Sequence, residues 1–142
     1  MNLSSLLSND LILINFTAKD HTDALKNMAC LLGKVCEDEE SIKALNDHES
    51  IDGILAGTGS AIFHTFSEAV EDIKIVLALS PSGIPHPTRK KEKINMLWLV
   101  VSPIKESGTH FQLLSMLEGF LLNKVFHNAI LSAKTKDAVI GI

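Results

Sequence analysis

The chain has few of the residues that announce a special environment. It holds two cysteines, Cys30 and Cys36, in 142 residues. Six positions apart in one predicted helix, they point to different sides and cannot bridge within it. A disulfide-stapled fold is thereby excluded as the basis of stability, and reduced thiols in the cytoplasm are the expected state. No apolar run approaches the ~18 residues of a membrane span; the longest, Met96 to Val101, has the length of a buried strand. The opening Met1 to Asp10 lacks the basic and apolar regions of a signal peptide. Internal repeats, low-complexity tracts and linkers are absent, so a single domain over residues 1–142 is expected. Excess positive charge is lacking too. The net charge of -4 counts against nucleic acid as a partner, because such binders carry a basic surface.

What the chain does contain is enough apolar sequence for a core. Hydrophobic residues make up 46% and charged residues 21%, a globular balance. Leu11 to Phe16, Ile73 to Leu79 (ending at Ser80-Pro81) and Ile94 to Val101 (ending at Ser102-Pro103) read as strands. Strands this continuously apolar are buried on both faces, so helices should cover both sides of the sheet. Asp20 is a suitable N-cap for a helix from His21 to about Lys34, with Leu25, Met28, Ala29, Leu32 and Val35 at helical spacing. Further helices are expected over Asp38 to Asp47, Thr109 to Asn123, Phe126 to Ser132 and Thr135 to Ile142. The alternation predicts an α/β class, a three-layer α/β/α sandwich with a mixed sheet of about five strands.

The chemistry concentrates in Gly57-Thr58-Gly59-Ser60-Ala61-Ile62-Phe63-His64. The glycines permit a tight turn and close approach. A brief strand, Ala61 to Phe63, then delivers His64 at its end, where α/β folds place reacting groups. Taken alone, His64 reads more readily as a loop histidine on the surface than as a reacting group. His110 adds weight. Thr109-His110-Phe111-Gln112 fits a capping box with Thr109 as N-cap, which sets His110 in the first helical turn. Backbone N–H groups and the positive dipole end favour an anion there, and a histidine could donate to a phosphoryl oxygen.

These segments resemble enzyme IIA of the sugar phosphotransferase system, mannitol/fructose type, including its nitrogen-regulatory branch. The family carries a Gly-rich stretch ending Ala-Ile-Pro-His and a second histidine in a Thr-His-Leu-like helix start. The matching residues are Ala61-Ile62-Phe63-His64 and Thr109-His110-Phe111, with Leu6 to Ile12, the helix from Asp20 and Val100-Val101-Ser102-Pro103 also in family positions. The resemblance implies a phosphohistidine carrier. A phosphocarrier such as HPr, or its nitrogen-branch counterpart, would donate to His64. His64 would pass the group to an enzyme IIB, or hold it as a signal to a regulated protein. No cofactor, metal or membrane insertion is implied. His110 would stabilise the phosphoryl group, with His48, Glu49, Gly59, Ala61 and Thr109 as neighbours of the site.

Two positions depart from the family pattern. Phe63 stands where members have proline, and His48-Glu49 stands where members have Arg-Glu. Arginine offers a permanent planar fork for phosphate, whereas neutral His48 donates one hydrogen bond. The alternative function is therefore a phosphorylation-deficient regulatory module that binds proteins through the same surface. The chain's one arginine, Arg89, lies in the basic run Arg89 to Lys93, read as a solvated hairpin end. Ile84-Pro85-His86 spells the family tripeptide but lacks the Gly-rich stretch, and is read as a turn. His21 and His127 fit helix surfaces, and Trp98 fits the core. A zinc site from His48, His64 and His110 is not favoured, since no pair shows close ligand spacing. If His64 and His110 share one phosphoryl group, their ring nitrogens should lie within about two hydrogen-bond lengths, each ~3 Å.

Overall fold

A computed structural model of the chain describes residues 7–33, 54–55, 59–85 and 92–140. The strands are β1 (Ile12–Leu13), β2 (Ile54–Leu55), β3 (Ser60–Phe66), β4 (Lys74–Pro85) and β5 (Lys93–Ser102). The helices are α1 (His21–Cys30), α2 (Ser107–Leu122), α3 (Lys124–Ser132) and α4 (Lys136–Ile140). One sheet holds all five strands in the order β1-β4-β5-β3-β2. β5 runs parallel to β3 and antiparallel to β4, β1 is parallel to β4, and β2 is antiparallel to β3. The sheet is mixed, as expected.

The central strand explains the apolar run. Every residue from Met96 to Ser102 on β5 is buried, because helices lie against both faces. On one face, Ala24, Leu25, Met28 and Ala29 of α1 pack over Ala61, Phe63, Val76, Leu97 and Leu99. On the other, Leu113, Leu117 and Leu121 of α2, Ile130 of α3 and Val139 of α4 cover Ile62, Leu77, Met96, Trp98 and Val100. Trp98 is fully enclosed in that second layer. This is the three-layer sandwich expected from the strand composition. Among the described residues no helix is long and apolar enough to cross a membrane.

Asp20 caps α1 as expected, its carboxylate accepting from the Asp23 N–H at 2.8 Å. Other elements differ from expectation. β1 keeps only two residues, with a 3-10 turn over Asn9–Leu11 in front of it. β4 does not stop at Ser80-Pro81 but continues to Pro85. The pairing with β5 jumps from Leu79↔Met96 to Ile84↔Ile94, so Ser80 to Gly83 bulge opposite Asn95. A bulged position asks no ladder bond of Pro81, which has no N–H to give. Asn95 Nδ2 donates to the Ser80 carbonyl at 3.0 Å and bridges the gap. Gly83 turns the strand at φ 83, and a Cβ there would meet Lys93 Cβ at 2.6 Å. Ile84-Pro85 consequently belongs to the strand rather than to a turn. Cys30 is exposed at the end of α1. The expected helix Asp38 to Asp47, together with Cys36, His86 and Arg89, lies outside the described residues.

Candidate functional site

The alternation of β3 decides what faces the helices. Ala61 and Phe63 point to α1, while Ile62 points to α2. His64 and Phe66 therefore share the α2 side with Ser60 and Ile62. The parallel ladder aligns His64 with Val100 and Phe66 with Ser102. His64 does not end its strand. The ladder to β5 carries β3 two residues further, through Thr65 and Phe66, because Val101 and Ser102 continue to offer partners. His64 itself is half-buried.

α2 brings the second histidine. A 3-10 turn over Ile104–Glu106, starting at Pro103, leads directly into the helix. Thr109 is thus the third helical residue, not the N-cap, and the expected capping box does not form. The residue before the helix, Glu106, makes no side-chain cap bond. Instead, Glu68 accepts from the Ile104 N–H at 3.0 Å and secures the turn to the loop after β3. His110 leads the stripe His110, Leu113, Leu117 and Leu121, which is the buried face of α2.

The imidazoles meet. His64 Nδ1 lies 3.1 Å from His110 Nε2. The other nitrogen of His110, Nδ1, lies 2.7 Å from Ser102 Oγ. Phe66 covers the His110 ring with centroids 4.4 Å apart, and Phe111 stands edge-on at 5.3 Å. His110 and Ser102 are fully buried. The three side chains form a line from the interior to the half-buried ring of His64.

His110 was expected to donate to a phosphoryl oxygen from the first turn of its helix. Both of its nitrogens lie within hydrogen-bond distance of protein groups, His64 and Ser102, and the residue is fully buried. Burial, and secondarily the neighbouring His64, lower its pKa from 6.5 to about 4. His110 is therefore neutral at neutral pH, one nitrogen carrying hydrogen and the other a lone pair.

A pH dependence of stability follows. Between pH 6.5 and about 4 the unfolded chain binds a proton at His110 that the folded chain refuses. The stabilisation is complete above pH 6.5 and declines as the pH falls through that window. Urea unfolding should lose about 2 kcal/mol from this residue between pH 7.5 and pH 5. His110→Gln, which cannot titrate, should flatten the profile by that amount. An unchanged profile would contradict the neutral, buried assignment.

The other expected site residues are placed as follows. Gly59 precedes the far end of β3. Four steps along the extended strand, roughly 13 Å, separate Ser60 from His64. The carbonyl of Gly59 accepts from Asn95 and Met96, so its left-handed φ of 71 serves the sheet and not the ring. Ala61 is buried on the opposite face, against α1. Thr109 adjoins His110 on the helix. His48 and Glu49 lie outside the described residues. Composition reasoning missed Ser102, Phe66 and the buried state of His127. His127 is not a surface residue: its Nε2 lies 2.6 Å from Ser60 Oγ under α3. The 3-4-4 spacing of His110, Leu113, Leu117 and Leu121 was the available signal for the buried ring.

Comparison with known proteins agrees with this architecture. The fructose-specific EIIABC component of the phosphotransferase system of Bacillus subtilis is 23% identical over 145 residues, covering 100% of this chain and 23% of that protein. The chain thus spans about a quarter of that relative's length. The nitrogen regulatory protein IIA-Ntr of Neisseria meningitidis superposes with a TM-score of 0.81 at 16% identity, covering 98% of this chain and 97% of that one. The Escherichia coli complex of enzyme IIAMTL with phosphorylated enzyme IIBMTL gives a TM-score of 0.75 at 18% identity, covering 95% and 94%. Residues 5–142 match the family described as phosphoenolpyruvate-dependent sugar phosphotransferase system, EIIA 2, and the chain belongs to it.

Proposed function

We propose that this chain is a phosphohistidine carrier that accepts a phosphoryl group on His64 and passes it to an enzyme IIB, or holds it as a signal. The observation that carries the reading is the 3.1 Å contact between His64 Nδ1 and His110 Nε2 beneath a half-buried imidazole. Nδ1 is taken by His110, so Nε2 is the attacking atom. Its lone pair forms the new bond to phosphorus as the donor's bond to phosphorus breaks and its electron pair leaves with the donor. A neutral imidazole keeps a lone pair on one ring nitrogen, and that nitrogen is the nucleophile. Phosphoryl transfer depends on positioning more than on covalent assistance. His110 supplies that positioning, held in turn by Ser102 and Phe66.

A phosphocarrier such as HPr, or its nitrogen-branch counterpart, is the donor that family membership supports. The relative solved with phosphorylated enzyme IIBMTL supports an enzyme IIB as acceptor, and the likeness to a nitrogen regulatory protein supports the signalling variant. Incubation with enzyme I, the phosphocarrier and labelled phosphoenolpyruvate tests the reading. It predicts one label per chain, stable in alkali and released by acid. Absence of label at any donor concentration would refute carriage.

The second reading, a phosphorylation-deficient regulatory module, draws on His48 in the family's arginine position. Phe63 favours it less. The ladder to Leu99 of β5 holds the backbone that a proline ring would otherwise fix. Under this reading the wild-type chain labels poorly, still captures its partner protein, and gains label in His48→Arg by about ten-fold or more, since a bidentate charged donor is added. An undiminished wild-type rate excludes it.

A further inference from the structure

A neutral histidine with both nitrogens engaged cannot choose its two roles independently. If His110 Nδ1 carries the hydrogen, Nε2 must accept; if Nδ1 accepts, Nε2 must carry it. The same constraint passes to His64. When His110 Nε2 accepts, His64 Nδ1 holds the hydrogen and Nε2 keeps its lone pair. When His110 Nε2 donates, His64 Nδ1 accepts, the hydrogen sits on Nε2, and the attacking lone pair is gone. Ser102 is the group at the inner end of this chain, fully buried, with its Oγ 2.7 Å from His110 Nδ1.

We propose that Ser102 is a positioning residue: its hydroxyl oxygen accepts from His110 Nδ1–H and thereby fixes His64 in the tautomer whose Nε2 attacks phosphorus. The inference rests on the carrier reading of His64 and adds to it a residue that never touches the phosphoryl group. A hydroxyl is suited to this place. It is small enough to end the buried run Met96 to Ser102 beside the ring, and its hydrogen rotates away to leave a lone pair for the imidazole. A buried N–H cannot be left without an acceptor cheaply. Removing the oxygen should therefore move the His110 hydrogen to Nε2 and the His64 hydrogen to its own Nε2. The low pKa of His110 supports the scheme, since the ring stays neutral and must hold one tautomer or the other.

In the transfer step the His64 Nε2 lone pair forms the N–P bond. The donor–phosphorus bond breaks, its electron pair departs with the donor, and the Nδ1 hydrogen stays between His64 and His110. On the return step that same hydrogen makes His64 a better leaving group. Ser102 thus serves both directions.

The test uses the full chain with 15N-labelled histidine. NMR distinguishes a protonated from an unprotonated ring nitrogen without any phosphoryl donor. In the wild type the His110 hydrogen should sit on Nδ1 and the His64 hydrogen on Nδ1. In Ser102→Ala both should shift to Nε2, and the labelling rate at saturating phosphocarrier should fall about ten-fold with little change in the half-saturating concentration. Ser102→Thr, which keeps the hydroxyl, should restore both readouts. A wild-type His110 with its hydrogen on Nε2 overturns the proposal, and this outcome needs no variant to fold. A Ser102→Ala protein that keeps the wild-type tautomers and rate also overturns it. Failure of the carrier reading looks different: correct tautomers, but no label on the wild type.

Discussion

His64→Ala is expected to take no label from enzyme I, phosphocarrier and phosphoenolpyruvate. Removing an attacking group costs on the order of 10⁶-fold in measured enzymes, which is below detection in such an assay. Neither of the other two histidines whose side chains the structure describes can replace it. His110 is fully buried with both nitrogens engaged, and His127 is buried against Ser60. The variant should remain folded. His64 is half-buried and contributes little to either core layer, so a cost of about 1 kcal/mol is expected. Melting curves close to the wild type, together with absent label, separate lost chemistry from lost fold. Label that survives the substitution contradicts the assignment of the site.

His110→Ala should have the next largest effect. It deletes the contact to His64 Nδ1 and strands the Ser102 hydroxyl in the interior. The His64 ring then rotates out of place, and small misplacements of a reacting group cost about 10²-fold. Labelling should slow by roughly that factor, with His64 still the labelled residue. His110→Gln distinguishes support from mere space-filling. Its side-chain oxygen can accept from His64 Nδ1–H, so it should recover much of the rate. Equal loss in both variants would mean that the imidazole itself, not the hydrogen bond, is required.

The layers were readable because burial leaves a mark on composition. A strand such as Met96 to Val101, apolar at every position, has to be covered on both faces, and α1 on one side and α2 to α4 on the other do so. The Asp20 cap was readable because the interaction is local. The start of α2 differs from the expected capping box because two local signals compete. Thr109 and Gln112 suit a capping box, but Pro103 begins a 3-10 turn six residues earlier, and Glu68, from a distant loop, secures it. The continuation of β4 past Pro81 depended on a bulge against Asn95, which only the register of two strands determines.

The site was half readable for the same reason. His64 and His110 stood out by residue type, although 46 positions separate them. Ser102 did not, because a serine ending an apolar strand looks like a stop signal. Its importance comes from the β3–β5 register, which sets it opposite Phe66 and beside the first turn of α2. The burial of His127 is not legible because helical spacing shows which residues share a face but not how deep that face is buried.

In the carrier reading, His110 holds one nitrogen of His64 and thereby commits the other to phosphorus. Phosphorus–nitrogen correlation by NMR on the phosphorylated, 15N-histidine-labelled chain reads the bonded atom directly. Phosphorus is expected on Nε2 of His64. Phosphorus on Nδ1 of His64, or on any other residue, would contradict it.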